Sequence, residues 1–177
     1  MHNPSAGDED HPADEVSSVI ERAGHRLEYR SADEPGWEEA IDGRGDLVAI
    51  AGGDGTVGTV LRALAAKSPR LATLLPLGSA NNIARTLGVA DEPLGDLVAG
   101  WANARRRRYH LGEVAGPAES LTFVETVGGG LFAHSILRAQ TIDAGDEDKV
   151  ELGLRLLRRL VDELPSQSWK ADRKSVV

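Results

Sequence analysis

Cysteine is missing altogether from this chain of 177 residues. That excludes a disulfide framework and any thiolate metal site, and it fits a cytoplasmic setting. No apolar run approaches the ~20 residues that a membrane-spanning helix needs. The opening stretch, MHNPSAGDEDHPADE, has neither a basic region nor an apolar core, so no secretory leader is expected. Net positive charge is missing too. The formal charge is −8, which argues against nucleic-acid binding and against a generally basic membrane-binding surface. The one basic cluster is Arg105 to Arg108, and a solvated turn is the plainer reading of it. The five histidines lack metal-ligand spacing, and no metal-ligating set is expected. No internal repeat is present.

The chain does have an alternation of helix and strand patterns. Val16, Val19, Ile20 and Ala23 fall at helical spacing before Gly24. Short elements are expected at Leu27–Tyr29 (strand) and Trp37–Ile41 (helix). The uninterrupted apolar runs Leu47–Ala51 and Leu71–Leu75 have strand length and suit burial on both faces of a parallel sheet. A helix follows each: Val57, Val60, Leu61 and Leu64 carry the first, and Ser79 would cap the second, which runs through Thr86 to a stop at Gly88. Leu94, Leu97, Val98 and Trp101 mark another helix. Strands are expected at 107–114 and 120–127 around Gly116-Pro117, then a helix over 150–164 closed by Pro165. This order predicts an α/β fold, a parallel sheet with helices on both faces. In such sheets ligands bind beyond the carboxyl ends of the strands.

Glycine clusters sit at those ends. In Gly52-Gly53-Asp54-Gly55-Thr56 the glycines permit close backbone approach, and free N–H groups entering a helix form an anion site. Asp54 adds a carboxylate able to hold Mg²⁺ or to accept a proton, and Thr56 adds a hydroxyl. A plain strand-to-helix turn with a capping Asp54 or Thr56 explains the same residues. No Gly-Lys-Ser/Thr follows, so this is not a Walker A loop, and it is not the Gly-x-Gly-x-x-Gly dinucleotide fingerprint. Pro76-Leu77-Gly78-Ser79-Ala80-Asn81-Asn82 has the same layout, as does Asn3-Pro4-Ser5-Ala6-Gly7 ahead of the first helix. Three such turns at one sheet edge are far more specific than one. Glu125, in a predicted strand before Gly128, is a further carboxylate that would either face solvent or contact Mg²⁺.

In order, these three motifs resemble the catalytic domain of the diacylglycerol kinase family, and LGEV…FVETVGGGLFA resembles that family's strand pair leading to a glycine-rich turn. The resemblance implies ATP- and Mg²⁺-dependent phosphorylation of a lipid hydroxyl such as that of diacylglycerol. It places nucleotide contacts on Asn3, Pro4, Ser5, Gly7, Ser31, Gly52, Gly53, Gly55, Thr56, Gly78, Ser79 and Asn81, and the phosphoryl-transfer chemistry on Asp54. It also implies a nucleotide-binding domain over 1–145. Residues 146–177 then hold a helix and the start of a β-rich second domain that is otherwise missing. Here Gly58, Ser79 and Asn82 stand where the family usually has asparagine, threonine and aspartate. Only Met1 and His2 stand where an opening strand belongs. Expected partners are a lipid alcohol, a transient membrane surface at the inner membrane and a second copy of the chain, self-association following from apolar residues on more than one face of the last helix. Two rival readings stay open. One is a non-catalytic nucleotide-binding remnant that works only with a separate β-rich partner. The other is a NAD kinase-like enzyme, although the Asn-Glu pair of that family is not seen.

Overall fold

The computed structural model describes residues 1–7, 11–43, 45–67, 70–115, 120–128, 133 and 149–163. It forms two compact units, 1–126 and 127–177, each taken by itself below.

The first unit is α/β. Strands β1 (Val48–Gly52) and β2 (Ala72–Pro76) pair in parallel, from Val48↔Ala72 to Gly52↔Pro76. Side chains alternate across the sheet, so Ile50 and Leu74 enter one core cluster while Ala51 and Leu75 enter the other. Helices α2 (Asp54–Lys67) and α3 (Asn82–Leu87) and a 3₁₀ turn (Trp37–Asp42) close the first cluster through Val60, Ile83 and Trp37. Helices α1 (Ala13–Arg22) and α4 (Leu94–Gly100) close the second through Val16, Ile20 and Val98. Both faces are therefore covered, which is why the two strands read as unbroken apolar runs. Each Val, Ile or Leu side chain so buried contributes about 1.5–3 kcal/mol.

The sheet's third member is a single residue. His2 makes parallel bridges to Ala51 on one side and Ser31 on the other. The strand expected at Leu27–Tyr29 does not form: backbone pairing with His2 falls later, at Arg30–Ala32, and 27–29 run outside any strand. His2 is buried, with Nδ1 3.0 Å from the Tyr29 hydroxyl and Nε2 without a partner among the described residues. Burial, then nearby positive charge, holds its pKa below the usual 6.5. The folded state thus binds the His2 proton more weakly than the unfolded state. The stability this contributes is present above 6.5 and is lost as pH falls through the lowered value. In urea titrations from pH 7.5 down to about 5, near the foot of histidine titration, wild type is expected to lose stability more steeply than His2→Gln. Equal slopes would contradict the assignment.

Strands β3 (Gly112–Ala115) and β4 (Ser120–Phe123) form an antiparallel pair shorter than the sequence suggests. The ladder ends at Gly112↔Phe123, and the next carbonyl, Val124 O, accepts the Tyr109 hydroxyl at 3.0 Å instead. Residues 104–111 consequently run outside any strand. The turn at Gly116-Pro117 lies outside the described residues.

Gly58 is buried in α2, with Val124 packed beside it. A Cβ there would stand 3.4 Å from Arg62 Nη1, the end of a flexible side chain, and 3.8 Å from Val124 Cγ2. Gly58→Ala is expected to raise stability by about 0.5–1 kcal/mol through helix propensity. A loss on chemical denaturation would show that Val124 cannot give way.

In the second unit, α5 (Lys149–Glu163) leaves Leu154, Leu157 and Val161 exposed. Gly129, Gly130, His134 and the expected start of the β-rich second domain after the last helix lie outside the described residues.

Candidate functional site

The parallel register sets Gly52 level with Pro76, so the turns leaving β1 and β2 start side by side at the carboxyl edge of the sheet. Leu77 N donates to Gly52 O at 3.2 Å and continues the pairing one step into the turns. There Gly53 and Gly78 meet backbone to backbone. A Cβ on Gly53 would lie 3.1 Å from Gly78 Cα, and one on Gly78 would collide with Gly53 Cα. Gly7, at φ +88°, enters from the first motif, and a Cβ on it would collide with Leu77 O. Three glycines from three motifs therefore form one close-packed junction, which no other residue type permits.

Side chains tie the same junction. Asn3 Nδ2 donates to Thr56 Oγ1 at 3.3 Å, while Asn3 Oδ1 accepts Ser5 N at 2.9 Å and closes the turn through Pro4. Ser5 Oγ reaches Asp33 Oδ2 at 3.4 Å, and Asp33 N donates to the buried Ser31 Oγ at 3.3 Å. Ser31 is thus joined to the Ser5 turn through Asp33. Sequence reasoning passed over Asp33; its position two residues after Ser31, where a side chain and a backbone N–H close a local turn, was the available signal.

Asp54 does more than begin α2. Its Oδ2 accepts Asn82 N at 2.9 Å and its Oδ1 accepts Ile83 N at 3.0 Å. One carboxylate thereby caps α3 from 28 residues away. This corrects the expected helix start: α3 begins at Asn82, and Ser79 does not cap it. An ionised acceptor at a helix N-terminus satisfies two orphan N–H groups at once, where a serine hydroxyl satisfies one. Asn81 adopts φ +50°, and its Oδ1 accepts Gly78 N at 2.9 Å, so it closes the turn ahead of the helix. Ser79 is exposed and has no hydrogen bond among the described residues.

The two helix starts differ in what they leave open. The leading N–H groups of α3 are taken by Asp54. On α2, Val57 N bonds Gly53 O, but the N–H groups of Asp54, Gly55 and Thr56 have no acceptor among the described residues. Gly55 is exposed, with open space where a Cβ would stand. Three free donors at the positive end of a 14-residue helix make an anion-binding surface. Across from them, Tyr109 and Glu125 feel the Asp54 charge. Burial and then Asp54 raise the Glu125 pKa; burial, Glu125 and Asp54 raise that of Tyr109. Tyr109 was not legible as a site neighbour in the sequence. Two surface concavities lie elsewhere, one along α1 and one along α5, and hold none of the turn residues.

These features define an α/β domain whose glycine turns gather at the carboxyl edge of a parallel sheet. Residues 1–114 match the family model of the diacylglycerol kinase catalytic domain, and the chain belongs to that family. It is 30% identical over 139 residues to a diacylglycerol kinase of Bacillus subtilis, covering 73% of this chain and 44% of that protein. It is also 34% identical over 122 residues to a probable YegS-like lipid kinase of Pseudomonas aeruginosa, covering 66% of this chain and 39% of that protein. A probable YegS-like lipid kinase of Pseudomonas fluorescens is 36% identical over 112 residues, covering 58% and 37%. The chain thus spans less than half the length of each of these relatives. No solved structure gives a significant match.

Proposed function

We propose that the domain binds Mg·ATP with its phosphates over the first turn of α2 and passes the γ-phosphoryl group to a lipid hydroxyl such as that of diacylglycerol. The single observation that carries this reading is the set of unpaired N–H groups on Asp54, Gly55 and Thr56, held against the Gly7–Gly53–Gly78 junction. Phosphoryl transfer needs mainly positioning and charge neutralisation, and fixed backbone donors supply both. Asn3, Pro4, Ser5 and Ser31 shape the neighbouring turns, and Gly52, Ser79 and Asn81 complete the wall of the cradle.

Asp54 fits a Mg²⁺ role by its chemistry. A carboxylate offers about four lone-pair sites, and its two amide donors leave the rest for the metal or an attacking hydroxyl. Among the described residues no group of three His, Cys, Asp or Glu side chains gathers to hold a metal. Mg²⁺ is commonly held by one or two carboxylates together with substrate phosphates, so Asp54 alone is a sufficient protein anchor. When bound, the ion neutralises charge on the phosphates. Asp54, fixed in place by its bonds to α3, would hold the ion and take up the hydroxyl proton.

The family membership and the printed names of the relatives support lipid as the acceptor class. A cytoplasmic protein that visits the inner membrane surface suits such an acceptor; among the described residues no helix is long and apolar enough to cross a membrane. The test is incubation of the folded protein with labelled ATP, Mg²⁺ and mixed micelles of diacylglycerol, with NAD as a parallel acceptor. Label in the lipid supports the reading. Label in NAD, or ATP binding without transfer, overturns it in favour of a NAD kinase-like enzyme or a domain that needs a separate β-rich partner.

A further inference from the structure

His2 lies at the root of the first glycine motif, one residue ahead of Asn3. On one side His2 N donates to Arg30 O at 3.0 Å and Ala32 N donates to His2 O at 2.7 Å. On the other, Ala51 N donates to Met1 O at 2.8 Å and Asn3 N donates to Ala51 O at 2.9 Å. The imidazole is 2% exposed and stands edge-on to the Tyr29 ring. Its Nδ1 meets the Tyr29 hydroxyl, whereas Nε2 has no partner among the described residues. A neutral imidazole has one N–H and one lone pair, so one of its two nitrogens is already unserved here. A second proton would add a buried charge and a buried N–H without an acceptor. The surroundings offer little to offset it. The sheet neighbours Ala51 and Ser31 bring no charge. The Met1 amine and His11 act on the ring as positive charges, Asp33 acts against them, and Asp33 and Glu34 face Tyr29.

We propose that His2 is a pH-sensitive latch on the phosphate cradle: as the neutral imidazole it holds the first motif against the sheet, and a proton on it releases Asn3 from Thr56 and Gly7 from Leu77, so that the domain loses nucleotide in acid. This rests on the nucleotide reading and deepens it by assigning a regulation. The competing form is one in which residues 1–7 leave the sheet and the imidazole reaches water. There the ring takes a proton at its ordinary value, so falling pH favours that form. Little holds it closed, since His2 makes isolated bridges rather than a strand, and β1 and β2 pair without it. The open form keeps the donors of α2 but lacks the Asn3–Thr56 bond and the Gly7–Leu77 contact. Apparent affinity then follows the fraction of molecules that remain closed.

Calorimetric titration with Mg·ATP between about pH 7.5 and about pH 5.5 tests this on wild type, His2→Gln and His11→Gln. Over that range wild type is expected to lose up to about ten-fold more affinity than His2→Gln, the limit for a histidine one pH unit below its ordinary pKa. Titration of the ligand itself is common to all three proteins and cancels. His11→Gln is expected to keep most of the wild-type dependence. A second reading needs neither nucleotide nor a variant that folds. In free wild type, the amide resonances of Asn3 and Thr56 are expected to move together with the His2 ring signals as pH falls. Equal pH dependence in wild type and His2→Gln, a dependence that disappears with His11, or Asn3 and Thr56 resonances indifferent to the His2 titration would overturn the proposal. Resonances that move as expected in a protein that binds no Mg·ATP at any pH would leave the moving motif and sink the nucleotide reading. Mg·ATP bound with the same pH dependence in wild type and His2→Gln would do the reverse.

Discussion

Asp54→Ala is expected to lower lipid phosphorylation by at least about 100-fold, the scale of a lost general base or metal-positioning group. The same change is expected to cost about 2 kcal/mol of stability, because the N–H groups of Asn82 and Ile83 lose a charged acceptor. The two effects separate in Asp54→Asn. The amide keeps one acceptor oxygen for α3 and turns a donor toward the other N–H. It should therefore lose about 1 kcal/mol of stability while losing most of the activity. Full activity in Asp54→Asn would reduce Asp54 to a clamp between the two turns. Unchanged stability in Asp54→Ala would show that water replaces the carboxylate at the start of α3.

The second large effect belongs to Gly78. Gly78→Ala forces a methyl group into the Gly53 backbone, which has no side chain to move aside. A loss of about 3 kcal/mol is expected, at the upper end of overpacking costs, together with loss of ATP binding as the two turns part. Gly95 in α4 is the control, since a Cβ there meets nothing within 4 Å. Gly95→Ala is expected to stabilise by up to about 1 kcal/mol through helix propensity. If both variants behaved alike in urea titrations, the glycine junction would not be the tight contact described.

The difference between these two glycines shows what a sequence can reveal. The buried strands β1 and β2 were legible because full burial writes an unbroken apolar run, and the turns were legible because glycine clusters followed them. What could not be read was which glycine touches which. The Gly53–Gly78 contact follows from parallel register, a property of two segments together. The Asp54 clamp on α3 joins groups 28 residues apart, and local capping chemistry pointed to Ser79 instead. The strands expected at Leu27–Tyr29 and before Gly112 failed for a shared reason. Each had strand-like composition, but strand formation depends on the partner: His2 pairs with Arg30–Ala32 instead of Leu27–Tyr29, and beyond Gly112 the Val124 carbonyl takes the Tyr109 hydroxyl. Glu125 was visible as a carboxylate, whereas its nearness to Asp54 depends on Val124 packing beside Gly58.

The most direct test of the phosphate cradle is titration of the isotope-labelled protein with Mg·ATP, followed by amide resonances. The largest shifts are expected at Gly53, Gly55, Thr56 and Gly78, whose backbone surrounds the unpaired donors of α2. AMP, which lacks the β- and γ-phosphates, should move them far less. ATP and AMP giving the same shifts, or shifts confined to residues away from these turns, would contradict a triphosphate held at the start of α2.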